Sequence, residues 1–340
     1  MNLILILITV FTTLILVRLM NISQLSAQLA GEDEEAEVLR DNKINSFLSF
    51  VLMIVGLVAI GYMTLRYSKF ILPVAASEHG VKIDNLLWIN FAIIGVVFVI
   101  TQIALFYFVW KYQYRPGEKA YYFPHNNKLE IIWTVIPAIV LMVLIVTGLR
   151  VWNEVTMGDR SDGMVIQVYG KQFDWTARYS GKDNKLGASS FRMIADDNEL
   201  GVDMNDKASA DDIVMKEIYL PVDQPVMMEF NSRDVIHSAY FPHFRAQMNC
   251  VPGMTTNFYF KPTITTAQMR EITGKPEFDY ILLCNKICGV AHYNMKMKVV
   301  VVSKEEFKQW IQGGKQLGET ISTTTAHVNT NGNVQNSLLP

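Results

Sequence analysis

Cys284-Asn285-Lys286-Ile287-Cys288-Gly289-Val290-Ala291-His292-Tyr293-Asn294-Met295 is the stretch that decides how this 340-residue chain is read. It lies between two strand-like runs, Tyr280–Leu283 and Lys296–Val302, and so reads as a loop. Two thiols, an imidazole and a thioether fall within it. Soft sulfur donors mixed with imidazole suit copper better than magnesium, calcium or manganese. A one-copper electron-transfer site needs a single Cys, and the extra thiol four residues earlier alters the reading. Two thiolates can bridge two ions, each capped by one His, and a second imidazole stands upstream in Asp234-Val235-Ile236-His237-Ser238. Two plainer readings compete: a structural zinc site, whose usual mark is Cys and His at short spacing, and a Cys284–Cys288 disulfide in an oxidising compartment. Zinc sites do not ordinarily recruit Met.

Working outward, half of the chain is hydrophobic, and the excess lies ahead of residue 152. Four apolar segments, about 3–18, 46–66, 86–110 and 130–151, approach the ~20 residues that cross a bilayer core. The first lacks a positive flank before it, Arg18 following instead, so it reads as a retained span rather than a signal peptide. Arg18, Arg40, Lys43, Lys111, Arg115, Lys119 and Lys128 then fall on one side of the membrane, against Arg66, Lys69 and Lys82 on the other. The richer side is cytoplasmic, which puts the chain after residue 152 outside.

From Met164 the pattern changes to short runs of β-branched and aromatic residues parted by polar turns. Besides the two runs flanking the loop, these are Met164–Tyr169, Phe173–Tyr179, Glu217–Leu220, Pro225–Phe230 and Thr256–Phe260. Periodicity alone gives a small all-β domain over 153–314. Between Phe191 and Ile213 an acidic insert, from Asp196 to Asp212, reads as a solvated loop. Ser303 with Glu306 forms the sequence mark of a helix cap, and residues 315–340 are expected to be disordered. Cys250 reads as a small buried hydrophobe, and His125 and His243 as surface or interface residues. No Cys-x-x-Cys-His occurs, so no c-type haem is fused to the chain.

The loop resembles the C-x-x-x-C-x-x-x-H-x-x-M motif of the binuclear copper (CuA) centre of cytochrome c oxidase subunit II. Asp234–Ser238 is similar to the segment that supplies that family's first histidine, and Leu129-Glu130-Ile131-Ile132-Trp133-Thr134-Val135-Ile136-Pro137 resembles its L-E-x-x-W-T-x-I-P signature. The resemblance implies that Cys284 and Cys288 bridge the coppers and that His237 and His292 each bind one. Met295 and the Lys286 carbonyl would be the weak ligands. It implies a cupredoxin-like Greek-key barrel after transmembrane helices, with spans 86–110 and 130–151 matching the family's usual pair and the first two forming an extension. Glu130 would sit at the mouth of a proton path, which the dipole of its helix would stabilise whatever its role. Gly170-Lys171-Gln172-Phe173-Asp174-Trp175 is similar to the family's aromatic segment where electrons enter, with Phe173 in place of a Trp and Trp175 retained. Asp234 is a candidate for orienting His237.

Two positions depart from the family pattern. Lys286 stands where a Glu usually helps hold magnesium at the border with subunit I, and Asn249 replaces an Asp. Lysine cannot coordinate a hard cation as a carboxylate does, so magnesium is expected to be absent or held differently. The implied function is electron relay from an external c-type cytochrome, a separate protein or a neighbouring complex, to haem–copper subunit I. Oxygen would be reduced there with proton pumping. Other oxidase subunits and membrane lipids complete the expected partners, with no nucleic acid, and the setting is the bacterial inner membrane with the copper domain periplasmic. The intact ligand set argues against a quinol oxidase. A CuA-bearing nitric oxide reductase subunit and a membrane-anchored copper protein without an oxidase partner are the rivals.

Overall fold

The computed structural model describes residues 2–29, 31, 34–157, 162–314 and 316–317. The chain divides into two units, Met1–Ile71 with Phe91–Trp133, and Leu72–Asn90 with Thr134–Pro340. Four helices come first: α1 (Asn2–Leu29), α2 (Glu34–Tyr67), α3 (Glu78–Lys111) and α4 (Asn127–Thr156). Three stretches, Val38–Phe70, Glu78–Lys111 and Asn127–Thr156, are long and apolar enough to cross a membrane. They are longer than the sequence-based spans because each helix continues past the bilayer core into polar residues. The expected span at 3–18 lies in α1, and part of it, residues 3–6 and 9, falls outside the residues whose side chains are described. At the start of α4 the Asn126 side chain accepts from the Leu129 N–H (3.1 Å) and the Glu130 carboxylate accepts from the Asn126 N–H (3.3 Å). These bonds satisfy backbone donors that a helix start leaves unpaired. The segment expected to be disordered, 315–340, lies almost wholly outside the described residues.

The second unit carries the β-domain. Its elements are β1 (Met164–Lys171), β2 (Asp174–Tyr179), β3 (Ile213–Met215), β4 (Ile218–Pro221), β5 (Val226–Ser232), β6 (His237–Phe241), β7 (Ala246–Cys250) and β8 (Thr256–Phe260). After them come α5 (Thr266–Thr273), β9 (Tyr280–Cys284), β10 (Lys296–Val302) and α6 (Lys304–Gln312). Two five-stranded sheets form, in the orders β3-β2-β1-β5-β8 and β4-β10-β9-β6-β7. The β1–β5 and β4–β10 pairs are parallel and the rest antiparallel. Alternate side chains from both sheets meet in one core around Trp175, Phe230, Phe241, Phe244, Phe260 and Tyr280. Both β8 and β10 keep the boundaries read from sequence, whereas β3, β6, β7 and α5 were not anticipated.

The acidic insert is a solvated loop only in part: Asp196 and Asp197 are exposed, but other residues pack. Leu200 and Val202 pack with Tyr169 in a second, smaller apolar cluster. The Asp206 carboxylate accepts from the backbone of Ala188 and Ala208, and Glu199 pairs with Lys171 at 2.7 Å. Asp212 is fully buried against Arg178. Composition reads Asp212 as surface because burying a carboxylate is costly unless a cation and a donor accompany it, as Arg178 and the Gly187 N–H do here. Ser303 and Glu306 form the expected capping box on α6.

His243, read as a surface or interface residue, is half-buried within the β-domain. Its ring stands edge-on to Phe278 (5.0 Å) and Tyr280 (5.4 Å), and its Nδ1 has no partner. Burial, with the nearby Arg245 guanidinium adding to it, pushes this imidazole down to about 4. Between that value and the ordinary 6.5 the unfolded chain binds the extra proton, so the neutral ring's contribution is present above pH 6.5 and is lost as pH falls towards 4. We expect acidification over that window to cost wild type about 2–3 kcal/mol more than His243→Phe. Thermal midpoints of the two chains measured across pH would show this as a gap opening on the acid side.

The segment ahead of α3 is stitched to the β-domain. The Ala76 N–H donates to the His243 carbonyl (2.7 Å), the Thr263 N–H to Ala76 (2.9 Å) and the Glu78 N–H to Lys261 (3.1 Å). Ser77 Oγ donates to the Phe244 carbonyl (2.7 Å). The Arg245 guanidinium clasps Asp84 through Nε and Nη2, each at 2.8 Å, the bidentate geometry that makes such pairs strong.

Candidate metal centre

Strand pairing brings the two halves of the motif together. β6 lies beside β9, with Ala239 opposite Cys284, so His237 at the start of β6 and Cys284 at the end of β9 reach the same edge. The β9–β10 hairpin pairs Leu283 with Lys296, and the Cys284 N–H donates to the Met295 carbonyl (3.1 Å), which closes the loop at its base. The Asn285 N–H donates to Ser238 (2.9 Å) and ties the loop to β6. Both cysteines, Met295 and His237 are buried, while Ile287, Val290 and Tyr293 at the crest are exposed, Val290 to 92%.

The donor atoms group around a pair of sulfurs. Cys284 Sγ and Cys288 Sγ are 3.8 Å apart and both thiols are free, which excludes a disulfide. Cys284 Sγ meets His237 Nδ1 at 3.8 Å and the Lys286 carbonyl at 3.2 Å. Cys288 Sγ meets His292 Nδ1 at 3.6 Å and Met295 Sδ at 3.8 Å. Among the described residues the mutually close set is His237, Cys284 and Cys288, all within 4.8 Å, and His292 stands outside it. One tetrahedral zinc would draw all four donors to within roughly 4 Å of one another, given its bond lengths. Two imidazoles attached to different members of a sulfur pair, each end with a weak thioether or carbonyl donor, fit two soft ions instead. Burial pushes the Cys288 thiol up to about 11, with Cys284 adding to the shift, so ions that bind here must displace the thiol protons.

The surroundings hold the imidazole that comes from the distant strand. Asp234 Oδ1 lies 2.8 Å from His237 Nε2, which assigns the ring proton to Nε2 and leaves Nδ1 facing the sulfurs. Burial disfavours the Asp234 carboxylate, but the Gln172 N–H (2.7 Å), His237 and the Val235 N–H together hold it below the usual range. Gln172 Nε2 also donates to the Cys288 carbonyl (2.5 Å), linking the loop to Asp234 through one residue. Asp234→Ala is expected to weaken copper binding by about 10–100-fold while the fold persists, as loss of such an outer partner does. Metal titration of both chains would measure it, and equal affinities would dismiss the role.

Two glycines are part of the site, and sequence reasoning did not single them out. A side chain at Gly170 would come within 2.9 Å of the Trp175 ring and 3.1 Å of the His237 ring. Gly289, at φ 141°, adopts a backbone closed to other residues, and a Cβ there would meet the Phe173 ring at 2.8 Å. The clue was available in Gly170-Lys171-Gln172 and Cys288-Gly289, but a close approach between separate strands has no local signature. Phe173, half-buried, therefore lies against the loop. Trp175 is fully buried, edge-on to His237 with centroids 5.8 Å apart. Cys250 is buried opposite His237 in the β6–β7 pair, as a small hydrophobe, and burial pushes its thiol up to about 12. Glu130 belongs to the other unit, and Lys286 and Asn249 present no carboxylate.

The family model "Cytochrome C oxidase subunit II, transmembrane domain" matches residues 65–151, and that for the periplasmic domain of the same subunit matches 164–303. An alternative cytochrome c oxidase subunit 2 from Bradyrhizobium diazoefficiens is 34% identical over 269 residues, covering 78% of this chain and 92% of the relative. Cytochrome c oxidase subunit 2 from Cereibacter sphaeroides is 24% identical over 277 residues, covering 75% and 83%. The crystal structure of the periplasmic domain of subunit II of cytochrome oxidase of Bradyrhizobium japonicum is similar at 22% identity and a TM-score of 0.31, over 45% of this chain and 93% of that one. The matched region begins near the end of α2, so α1 and most of α2 precede it. With apolar helices followed by a two-sheet domain that gathers His237, Cys284 and Cys288, and a relative matched over nearly its whole length, the chain belongs to the cytochrome c oxidase subunit II family.

Proposed function

We propose that this chain binds a CuA pair and serves as the electron-accepting subunit of a haem–copper oxidase in the bacterial inner membrane, with its β-domain in the periplasm. The observation that carries the reading is the division of donors about the two sulfurs, His237 and Lys286 O with Cys284, His292 and Met295 with Cys288. A copper pair held there would supply one-electron redox chemistry. The residues of the chain fix its surroundings: β6, β9 and β10 hold the donors on one rigid edge, and Asp234 fixes the His237 tautomer. Burial of both sulfurs keeps water from them. Phe173 and Trp175 would carry electrons in from a c-type cytochrome donor, with half-buried Phe173 the more exposed of the two. The acceptor would be subunit I, where oxygen reduction and proton pumping take place. Membership of the oxidase family stands against a copper protein without an oxidase partner, and the relatives' names against a nitric oxide reductase.

Metal analysis with electron paramagnetic resonance on the copper-loaded protein tests the reading. Two coppers per chain sharing one unpaired electron are expected, with hyperfine structure from both nuclei. A single copper with one-ion splitting, or zinc alone, would overturn it. At the border with subunit I, Lys286 and Asn249 do not fit a magnesium ion, and no step is assigned to one. Glu130 is proposed to stand at the mouth of a proton path. Glu130→Gln should then lower turnover and proton uptake by roughly 100-fold, the low end of what a proton-transferring group contributes. Unchanged rates would leave the carboxylate its capping role alone.

A further inference from the structure

The other unit contains a site unconnected with the copper chemistry. A cavity of about 500 Å³ opens between α2 and α3, within the roughly 300–1,000 Å³ of small-molecule sites. α2 lends it Lys43, Ser46, Phe47 and Phe50, whose spacing puts them on one helix face, and α3 lends Tyr107 and Trp110. Its two ends differ in chemistry. At one end Ser46 is only 3% exposed and its hydroxyl has no partner, and Gln113 Oε1, also buried, has none. Buried polar atoms are otherwise nearly always paired, so two orphaned groups on one cavity wall point to a ligand that completes them. Lys43 lines the same end and has no carboxylate within ion-pair distance among the described residues. Lys111 lies nearby over the Tyr107 ring, 5.5 Å from its centroid. The rest of the lining is aromatic and apolar.

A cationic, hydrogen-bonding end and an apolar body suit an amphiphile with a negative head. The helix ends around it carry Arg40, Lys43, Lys111 and Arg115, the basic flank of the membrane helices. Basic pockets between membrane helices on that side bind anionic headgroups, and Trp and Tyr settle at the headgroup level. We propose that this cavity holds one anionic glycerophospholipid, its head at Lys43, Ser46 and Gln113 and its chain against Phe47, Phe50 and Trp110. Lys43, Ser46, Phe47 and Phe50 precede the matched family region whereas Tyr107, Trp110 and Gln113 lie within it, so the site needs the N-terminal extension to be complete.

The test uses the full chain, extracted in mild detergent with its companion subunits and examined by native mass spectrometry after washing and add-back of phosphatidylglycerol or phosphatidylethanolamine. Wild type is expected to keep one more phosphatidylglycerol per complex than Lys43→Gln, with retention in the variant down tenfold or more. Lys43→Arg should keep it, and Ser46→Leu, which places an apolar side chain in the cavity, should lose it. Copper content, unchanged in all four, verifies folding. Equal lipid counts in wild type, Lys43→Gln and Ser46→Leu would overturn the proposal, as would uptake of phosphatidylethanolamine as readily as phosphatidylglycerol.

Discussion

Cys288→Ser is expected to remove the two-copper signature and to lower electron transfer by more than the roughly 10–100-fold that follows loss of an outer partner. The argument is geometric. Cys288 Sγ contacts Cys284 Sγ (3.8 Å), His292 Nδ1 (3.6 Å) and Met295 Sδ (3.8 Å), so it is the atom through which the second imidazole joins the first set of donors. A serine oxygen is smaller and harder than sulfur, and at neutral pH it keeps its proton, so it cannot bridge soft ions. With His292 uncoupled from the cluster of His237 and Cys284, one ion at most would remain. Copper per chain and the hyperfine pattern read this directly. Two coppers retained with an unchanged spectrum would show that Cys288 does not bridge.

Asp212→Ala is expected to destabilise the β-domain by about 3–5 kcal/mol, the cost of leaving a buried charge without its partner. Arg178 is 1% exposed, with Nη1 3.4 Å from Asp212 Oδ2 and Nη2 donating to the Gly187 carbonyl (3.0 Å). Asp212 in turn accepts from the Gly187 N–H (3.0 Å). Burial pushes the Asp212 carboxyl up to about 6 although Arg178 pulls the other way, so at neutral pH the pair is ionised. Removing the carboxylate strands the guanidinium. The thermal midpoint should fall by about 10 °C. Replacing both residues, Arg178→Met with Asp212→Leu, should recover much of the loss, because no charge is then left unpaired. A midpoint within about 2 °C of wild type for Asp212→Ala would refute the account.

What the sequence made legible follows from the range of the forces involved. The loop proposed to bind copper could be read because four of its donors fall within one twelve-residue run, and its flanking strands because Val, Ile and Leu announce them. The apolar helices were legible for the same reason, since a bilayer demands a continuous run. β6 and β7 were missed because His-Ser-Ala-Tyr-Phe and Ala-Gln-Met-Asn-Cys have little β-branched character, and pairing with neighbours makes them strands. The roles of Gly170 and Gln172 depend on contacts with His237, Asp234 and Cys288, which no local window contains. Asp212 misled for a related reason: a carboxylate reads as surface until the residue that neutralises it, 34 positions away at Arg178, is known.

The seam between residues 73–84 and the β-domain has a mechanical meaning. The β-domain is moored twice, by its covalent continuation from α4 and by the backbone bonds of Ala76, Glu78 and Thr263 with the Arg245–Asp84 clasp. A redox domain on a single flexible tether can ferry charge by swinging between donor and acceptor. One moored at two points is denied that swing, so on the proposed relay reading it would act in the manner of a wire rather than a shuttle. Its throughput is then insensitive to the viscosity of the surrounding medium, and lengthening the loop after α4 should leave the rate unchanged so long as the second mooring holds.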